Sequence, residues 1–219
     1  MSTEPSAPRR ILTTRSAGWA VALARWLGRR GVRPNIVSIL GVVFALGAGV
    51  AFARVPLAAP GGQLALLLAA AACIQLRLLC NLLDGMLAVE EGFRSRTGEI
   101  YNDLPDRLAD VIILVGAGYA VRSAAFGVTL GWAAAVLAVL TAYVRLLGGS
   151  LGVTQHFIGP MAKQHRMFVL TVATLLAAAE VWLVMPPRAI RLGLGLIVAG
   201  SIVTAIRRTR RIARELNRR

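Results

Sequence analysis

A chain of 219 residues that is 57% hydrophobic, with mean hydropathy +0.67, holds more apolar side chains than a soluble domain of that size can cover. Lys and Arg outnumber Asp and Glu by 25 to 10, a net charge of +15 that in a soluble protein would suggest nucleic acid. No aromatic residues alternate with the terminal arginines to stack bases, so no nucleic-acid partner is expected, and an all-α integral membrane protein is.

In chain order, residues 1–15 are rich in Ser, Thr, Pro and Arg and are expected to form a disordered basic N-terminus. The first 34 residues lack the apolar core and small-residue cleavage site of a signal peptide, so the first span is expected to act as the insertion signal. Between Ser16 and Leu27, Trp19, Val21, Leu23, Trp26 and Leu27 mix with Arg25, a short pattern that predicts an amphipathic interfacial helix. Pro34 and Asn35 then open the first of six predicted transmembrane helices, at about 35–54, 62–89, 102–121, 125–147, 166–185 and 190–206. Cys73 and Cys80 share the second span, seven residues apart, and cannot bridge. The membrane domain is thus 16–206, and residues 207–219 extend the last helix as a basic cytoplasmic tail.

Orientation follows from the arginines. With both termini cytoplasmic, the inside holds seven basic residues between Arg9 and Arg33, six between Arg94 and Arg166, and seven from Arg207 onward. The outside holds only Arg54, Arg122, Arg188 and Arg191, with Arg77 left inside a span. That bias predicts an integral protein of the cell (inner) membrane with both ends in the cytoplasm, its basic ends drawn to anionic membrane lipids.

Polar side chains recur on a helical grid where the second span leaves the membrane and the third begins. Asn81, Asp84, Gly85 and Ala88 fall on one face of one helix, and Gly98, Asn102, Asp106 and Asp110 on one face of the next. Taken singly, each acid could be a solvated partner of Arg77, Arg94 or Arg107. As a set they are oxygen ligands for a hard divalent cation beside a phosphate, because Mg2+ takes carboxylates plus substrate oxygens and Asn adds a neutral carbonyl. Small residues at 85, 88 and 98 leave room for a bulky phosphate or a neighbouring helix. Ser, Cys and His are not arranged for nucleophilic catalysis, and His156 and His165 lack metal-ligand spacing to each other.

This pattern resembles the signature of the CDP-alcohol phosphotransferases, Asp-x-x-Asp-Gly-x-x-Ala-Arg followed after eight or nine residues by Gly-x-x-x-Asp-x-x-x-Asp. Here the four acid positions hold Asn81, Asp84, Asn102 and Asp106, and Val89 stands where the motif has Arg. Pro34 to Ser38 is similar to the family's opening of the first span. The resemblance implies that Asn81, Asp84, Asn102 and Asp106 hold Mg2+ or Mn2+, and that Asp106 is the catalytic base. It further implies that Gly85, Ala88 and Gly98 line the nucleotide; Arg94, Arg96 or Arg107 are the candidates to replace the missing motif arginine.

The implied reaction transfers a substituted phosphate from a CDP-linked lipid or alcohol donor, CDP-diacylglycerol first, to a hydroxyl acceptor with release of CMP, in phospholipid biosynthesis. Arg145, Lys163 and Arg166, at the inner ends of the fourth and fifth spans, are either positive-inside anchors or ligands for a lipid or acceptor phosphate. Two neutral Asn in place of Asp weaken divalent binding, so a silent homologue that binds nucleotide or lipid is the alternative, ahead of a small transporter. A homodimer is also implied by the resemblance.

Overall fold

A computed structural model describes residues 17–90, 98–153, 158–185 and 188–218, except for the side chains of Val89, Glu90, Gly98, Glu99, Tyr101 and Asn102. The expected disordered stretch 1–15, Arg94 and His156 lie outside the described residues. Seven α-helices and one short turn make up the described structure, with no strand among the described residues.

Helix α1 (Gly18–Arg29) has the amphipathic character expected of it. Ala20 and Ala24 bury against Cys80, Leu83, Met86 and Leu87 of the third helix. Trp19 and Trp26 face outward, and the Arg30 guanidinium lies 4.9 Å from the Trp26 ring centroid. Indoles on the outer face of a helix beside a bundle suit the headgroup layer, where an apolar ring with one polar edge is at home.

Gly31, at φ +71, turns the chain, and Pro34 opens α2 (Pro34–Arg54) where its missing N–H costs nothing. A 3₁₀ turn (Val55–Leu57) leads to α3 (Pro60–Glu90). Its 31 residues extend for about 46 Å, well beyond a hydrocarbon layer of about 30 Å, so one end must stand in polar surroundings. Then follow α4 (Gly98–Ala120), α5 (Gly127–Ser150), α6 (Lys163–Trp182) and α7 (Ala189–Leu216).

Five helices, α2, α3, α5, α6 and α7, are long and apolar enough to cross a membrane. The sixth predicted span is α4, whose first half carries Asp103, Asp106, Arg107 and Asp110 and so falls short on composition. Observed helix ends differ from the expected ones mainly at α4, which begins at Gly98 rather than 102, and at α6, which begins at Lys163 rather than 166; α7 runs on into the basic tail to Leu216, in line with the expected extension of the last helix.

Both α3 and α4 pack along α2, whereas they touch each other only lightly. This leaves a gap between them at the end where their polar residues lie. Elsewhere the packing is close. A Cβ on Gly116 of α4 would sit 2.7 Å from the Cα of Gly49 on α2, and one on Gly118 would sit 2.8 Å from the Cα of Gly131 on α5. Small residues permit such backbone approach, and close packing replaces the hydrophobic driving force that lipid cannot supply between helices.

The core is built from Ala45, Ala48, Phe52, Leu67, Ile74, Ile113, Leu114, Leu170 and Leu194. Ile39, Val43, Leu46 and Val50 of α2 face outward, as do Leu175 and Leu176 of α6 and Leu192 and Leu196 of α7. Apolar faces of that extent need lipid rather than water around them.

Candidate functional site

Four helices, α2, α3, α4 and α6, contribute side chains to the gap between α3 and α4. Steps of four and three residues put Arg77, Asn81 and Asp84 on one side of α3, and a step of four puts Asp106 and Asp110 on one side of α4. The first turn of α6 adds Lys163 and Arg166, and α2 adds Ser38. Together they form two layers.

The upper layer surrounds a hollow of about 10 Å³ lined by Ser38, Asn81, Asp84, Pro105 and Asp106, with room for one water-sized occupant or a bare ion. Ser38 Oγ donates to Asp84 Oδ2 at 2.8 Å. Asp84 Oδ1 is buried with no hydrogen-bond partner among the described residues. Lys163 Nζ donates to Asn81 Oδ1 at 2.6 Å and makes a close ion pair with Asp106 Oδ2.

The lower layer is deeply buried. Asp110, 1% exposed, accepts from Arg77 Nη2 at 3.2 Å and from Arg166 Nη2 at 3.0 Å. Those two arginines are themselves 1% and 2% exposed, so the carboxylate and its hydrogen bonds are what make their burial tolerable. Arg166 also donates to Thr141 Oγ1 at 3.1 Å and to the Met161 carbonyl at 3.2 Å. Arg77 ties the layers together, since the same Nη2 reaches Asp106 Oδ1 at 3.0 Å. Three carboxylates, Asp84, Asp106 and Asp110, thus lie among three cations, Arg77, Lys163 and Arg166.

A basic flank runs outward from there. Asp103 accepts from Arg107 Nη2 at 3.0 Å and from Arg145 Nη2 at 3.2 Å. Arg208 of α7 is buried, and its guanidinium donates to the carbonyls of Thr141 at 2.7 Å and Ile158 at 3.0 Å.

Of the residues expected to hold a metal, Asn81, Asp84 and Asp106 meet at the hollow, while the side chain of Asn102 lies outside the described residues. Gly85 and Ala88 follow Asp84 on α3, half-buried; the Gly98 side is not described, and Arg94 lies outside the described residues. Arg145, Lys163 and Arg166, expected as anchors or phosphate ligands, each hold a carboxylate of the bundle: Asp103, Asp106 and Asp110 respectively.

Spacing along one helix revealed the α3 and α4 faces but not Lys163 or Ser38, which lie 82 and 46 residues from their partners Asn81 and Asp84. The signals for Ser38 were a hydroxyl in an otherwise apolar run and its place in the Pro34 to Ser38 stretch that resembles the family's opening of the first span. Lys163, the only lysine among 25 basic residues, was expected as an anchor or phosphate ligand, but its contacts to Asn81 and Asp106 leave no trace in spacing.

A divalent ion is compatible with this donor set. No group of three or more His, Cys, Asp or Glu forms a cage among the described residues, so a metal here must draw on amide and substrate oxygens as well. Mg2+ is commonly held that way, by one or two carboxylates plus phosphate oxygens. The unpartnered Oδ1 of Asp84, buried beside the hollow, is an acceptor that a cation would satisfy.

The described residues thus form a helical bundle suited to a membrane, with acids, an amide and bases gathered at one polar end. No protein-family model matches the sequence, and no curated relative does. Solved structures do match. The chain is similar to Mycobacterium tuberculosis phosphatidylinositol phosphate synthase, PgsA1, in complex with manganese and citrate, at 23% identity and a TM-score of 0.72 over 88% of each chain. The same synthase with CDP-DAG bound matches at 23% identity and a TM-score of 0.71, over 88% of this chain and 92% of the other. Its apo form matches at 22% identity and a TM-score of 0.71, over 86% and 93%. The chain therefore shares the fold of these phosphatidylinositol phosphate synthase structures.

Proposed function

We propose that this chain is a membrane CDP-alcohol phosphotransferase that moves a phosphatidyl group from CDP-diacylglycerol to a hydroxyl acceptor, releasing CMP, with Mg2+ or Mn2+ as cofactor. The observation that supports this best is the hollow between α3 and α4, where Asn81, Asp84 and Asp106 meet beside an unpartnered carboxylate oxygen. The likeness to a synthase solved once with manganese and once with CDP-DAG supports the same reading.

In this reading Asp84 would anchor the ion beside Asn81 and Asp106, and the ion when bound would neutralise the donor's diphosphate. Asp106 accepts the proton of the acceptor hydroxyl as its oxygen bonds to the lipid-side phosphorus. The bond from that phosphorus to the CMP oxygen breaks, and CMP leaves with the electron pair. Arg77 and Lys163 hold the two oxygens of Asp106 from opposite partners, fixing its orientation. Gly85 and Ala88 leave space for the nucleotide, and Arg145, at the edge of the basic flank, receives a phosphate on the acceptor.

The same reading places α4 across the membrane as a sixth span, with its charged half at the cytoplasmic end and both termini inside. The site then straddles lipid and water, so the donor's acyl chains remain in the bilayer while its cytidine head reaches the hollow. A homodimer through the outward apolar faces belongs to this proposal.

One observation favours a second reading, a homologue that binds donor without turnover: Lys163 already engages Asn81 and Asp106. Purified protein in detergent, given CDP-diacylglycerol and a panel of alcohols with and without chelator, separates them. Transfer requires CMP release that depends on both alcohol and divalent ion. Donor binding with no CMP under any condition rejects transfer in favour of the silent homologue.

A further inference from the structure

Lys163 is the only lysine of the chain, and its ammonium lies among oxygens of the candidate site. An ammonium is a compact point charge that can enter a cluster of oxygens, whereas a planar guanidinium demands a forked partner. Its two contacts, Asn81 Oδ1 and Asp106 Oδ2, come from different helices and together supply a single negative charge. With Arg77 already on the other oxygen of Asp106, the tethered ammonium leaves that pair no negative charge for a divalent ion. Asp84 is served differently: Ser38 satisfies Oδ2, and Oδ1 is buried with no hydrogen-bond partner among the described residues. The side chain of Lys163 is 20% exposed, so the cluster is reached by solvent ions along that edge.

We propose that Lys163 is a tethered cation that excludes a divalent ion from the Asn81–Asp106 side of the hollow, leaving Asp84 as the anchor for a single exchangeable ion. The charge pattern is consistent with this division. Asp84, Asp106 and Asp110 are matched by Arg77, Lys163 and Arg166, so one added dication gives a site suited to a diphosphate, and a second would meet an uncompensated excess of positive charge. The neutral amide at position 81 is then an adaptation to the lysine, since it keeps an oxygen on the ammonium while asking for no further cation.

This rests on the proposed function only for the kind of ion, and its test needs no donor or turnover. The purified chain in detergent micelles is titrated with Mn2+, and free Mn2+ is followed by electron paramagnetic resonance. Wild type takes at most one ion per chain. Lys163→Met binds Mn2+ at least about tenfold more tightly, or gains an ion, because a positive charge has left the oxygens. Asn81→Asp with Lys163→Met takes two. Two ions on the wild-type chain, or a Lys163→Met curve that overlays wild type, overturns the proposal.

Size-exclusion profile and melting temperature report whether Lys163→Met is folded. Should it not be, Asn81→Asp alone decides: with the lysine present it still takes one ion, and two would overturn the idea. CMP release judges the transferase reading separately. A chain that releases no CMP and still shows the Lys163 effect rejects only that reading, while one that releases CMP and holds two ions rejects only this one.

Discussion

Replacing Asp110 by Asn removes the carboxylate that two buried guanidiniums share, while leaving the side-chain shape almost unchanged. Arg77 and Arg166 are 1% and 2% exposed, and the 3.2 Å and 3.0 Å bonds to Asp110 are charge-assisted on both sides. Losing one partner of a buried ion pair costs about 3–5 kcal/mol, because the remaining charge stays desolvated. For a chain of this length each kcal/mol moves Tm by about 2–4 °C, so Asp110→Asn should melt roughly 6–20 °C below wild type. The assay is far-UV circular dichroism of detergent-solubilised protein at one fixed scan rate, since irreversible unfolding makes an apparent Tm depend on that rate. A companion variant sharpens the test. Arg77→Met, Asp110→Leu and Arg166→Met made together remove all three charges and should restore most of the lost Tm. An Asp110→Asn protein melting within about 2 °C of wild type, or a triple variant less stable than the single one, would refute the view that this network is held by charge pairing.

Other outcomes follow from the same geometry. Asp106→Asn should lower kcat for CMP release by about 10²- to 10⁴-fold, the usual range for a lost general base, with donor binding retained in an equilibrium binding assay. Gly116→Ala should cost about 1–3 kcal/mol in thermal melting, since its Cβ would lie 2.7 Å from the Gly49 Cα and neither backbone can yield cheaply. Arg145→Ala should change stability by less than about 1 kcal/mol, because its partner Asp103 is 33% exposed, yet raise KM for a phosphorylated acceptor with little change in kcat.

Hydropathy alone located most of the bundle because lipid imposes one solution on an apolar run of about 20 residues. Helix ends were less legible. Lys163, Gln164, His165 and Arg166 form the first turn of α6, and a search for apolar residues starts too late when a helix opens with polar ones. The acid faces of α3 and α4 emerged from spacing, since three- and four-residue steps carry geometry within one helix. Partners across helices left no such trace. Arg166 looked like an anchor or a phosphate ligand, and only the packing of α6 against α3 brings it beneath the site to Asp110. Asp110 itself extended the α4 face by one turn, but its burial between two guanidiniums is a property of three helices at once.

The glycine contacts along α4 bear on how the site can open. Gly116 rests on Gly49 of α2, and Gly118 on Gly131 of α5, with main chain against main chain and no flexible side chain between. A helix clamped on two flanks in that way behaves as a fixed wall, because main chain cannot compress or change rotamer. Movement that admits a headgroup must then arise opposite, where α6 meets α3 through longer side chains and Lys163 reaches across. Under the proposed function, differences in acceptor girth between chains of this fold would accordingly be recorded in the first turn of α6, while the α4 glycines hold Asp106 at constant depth.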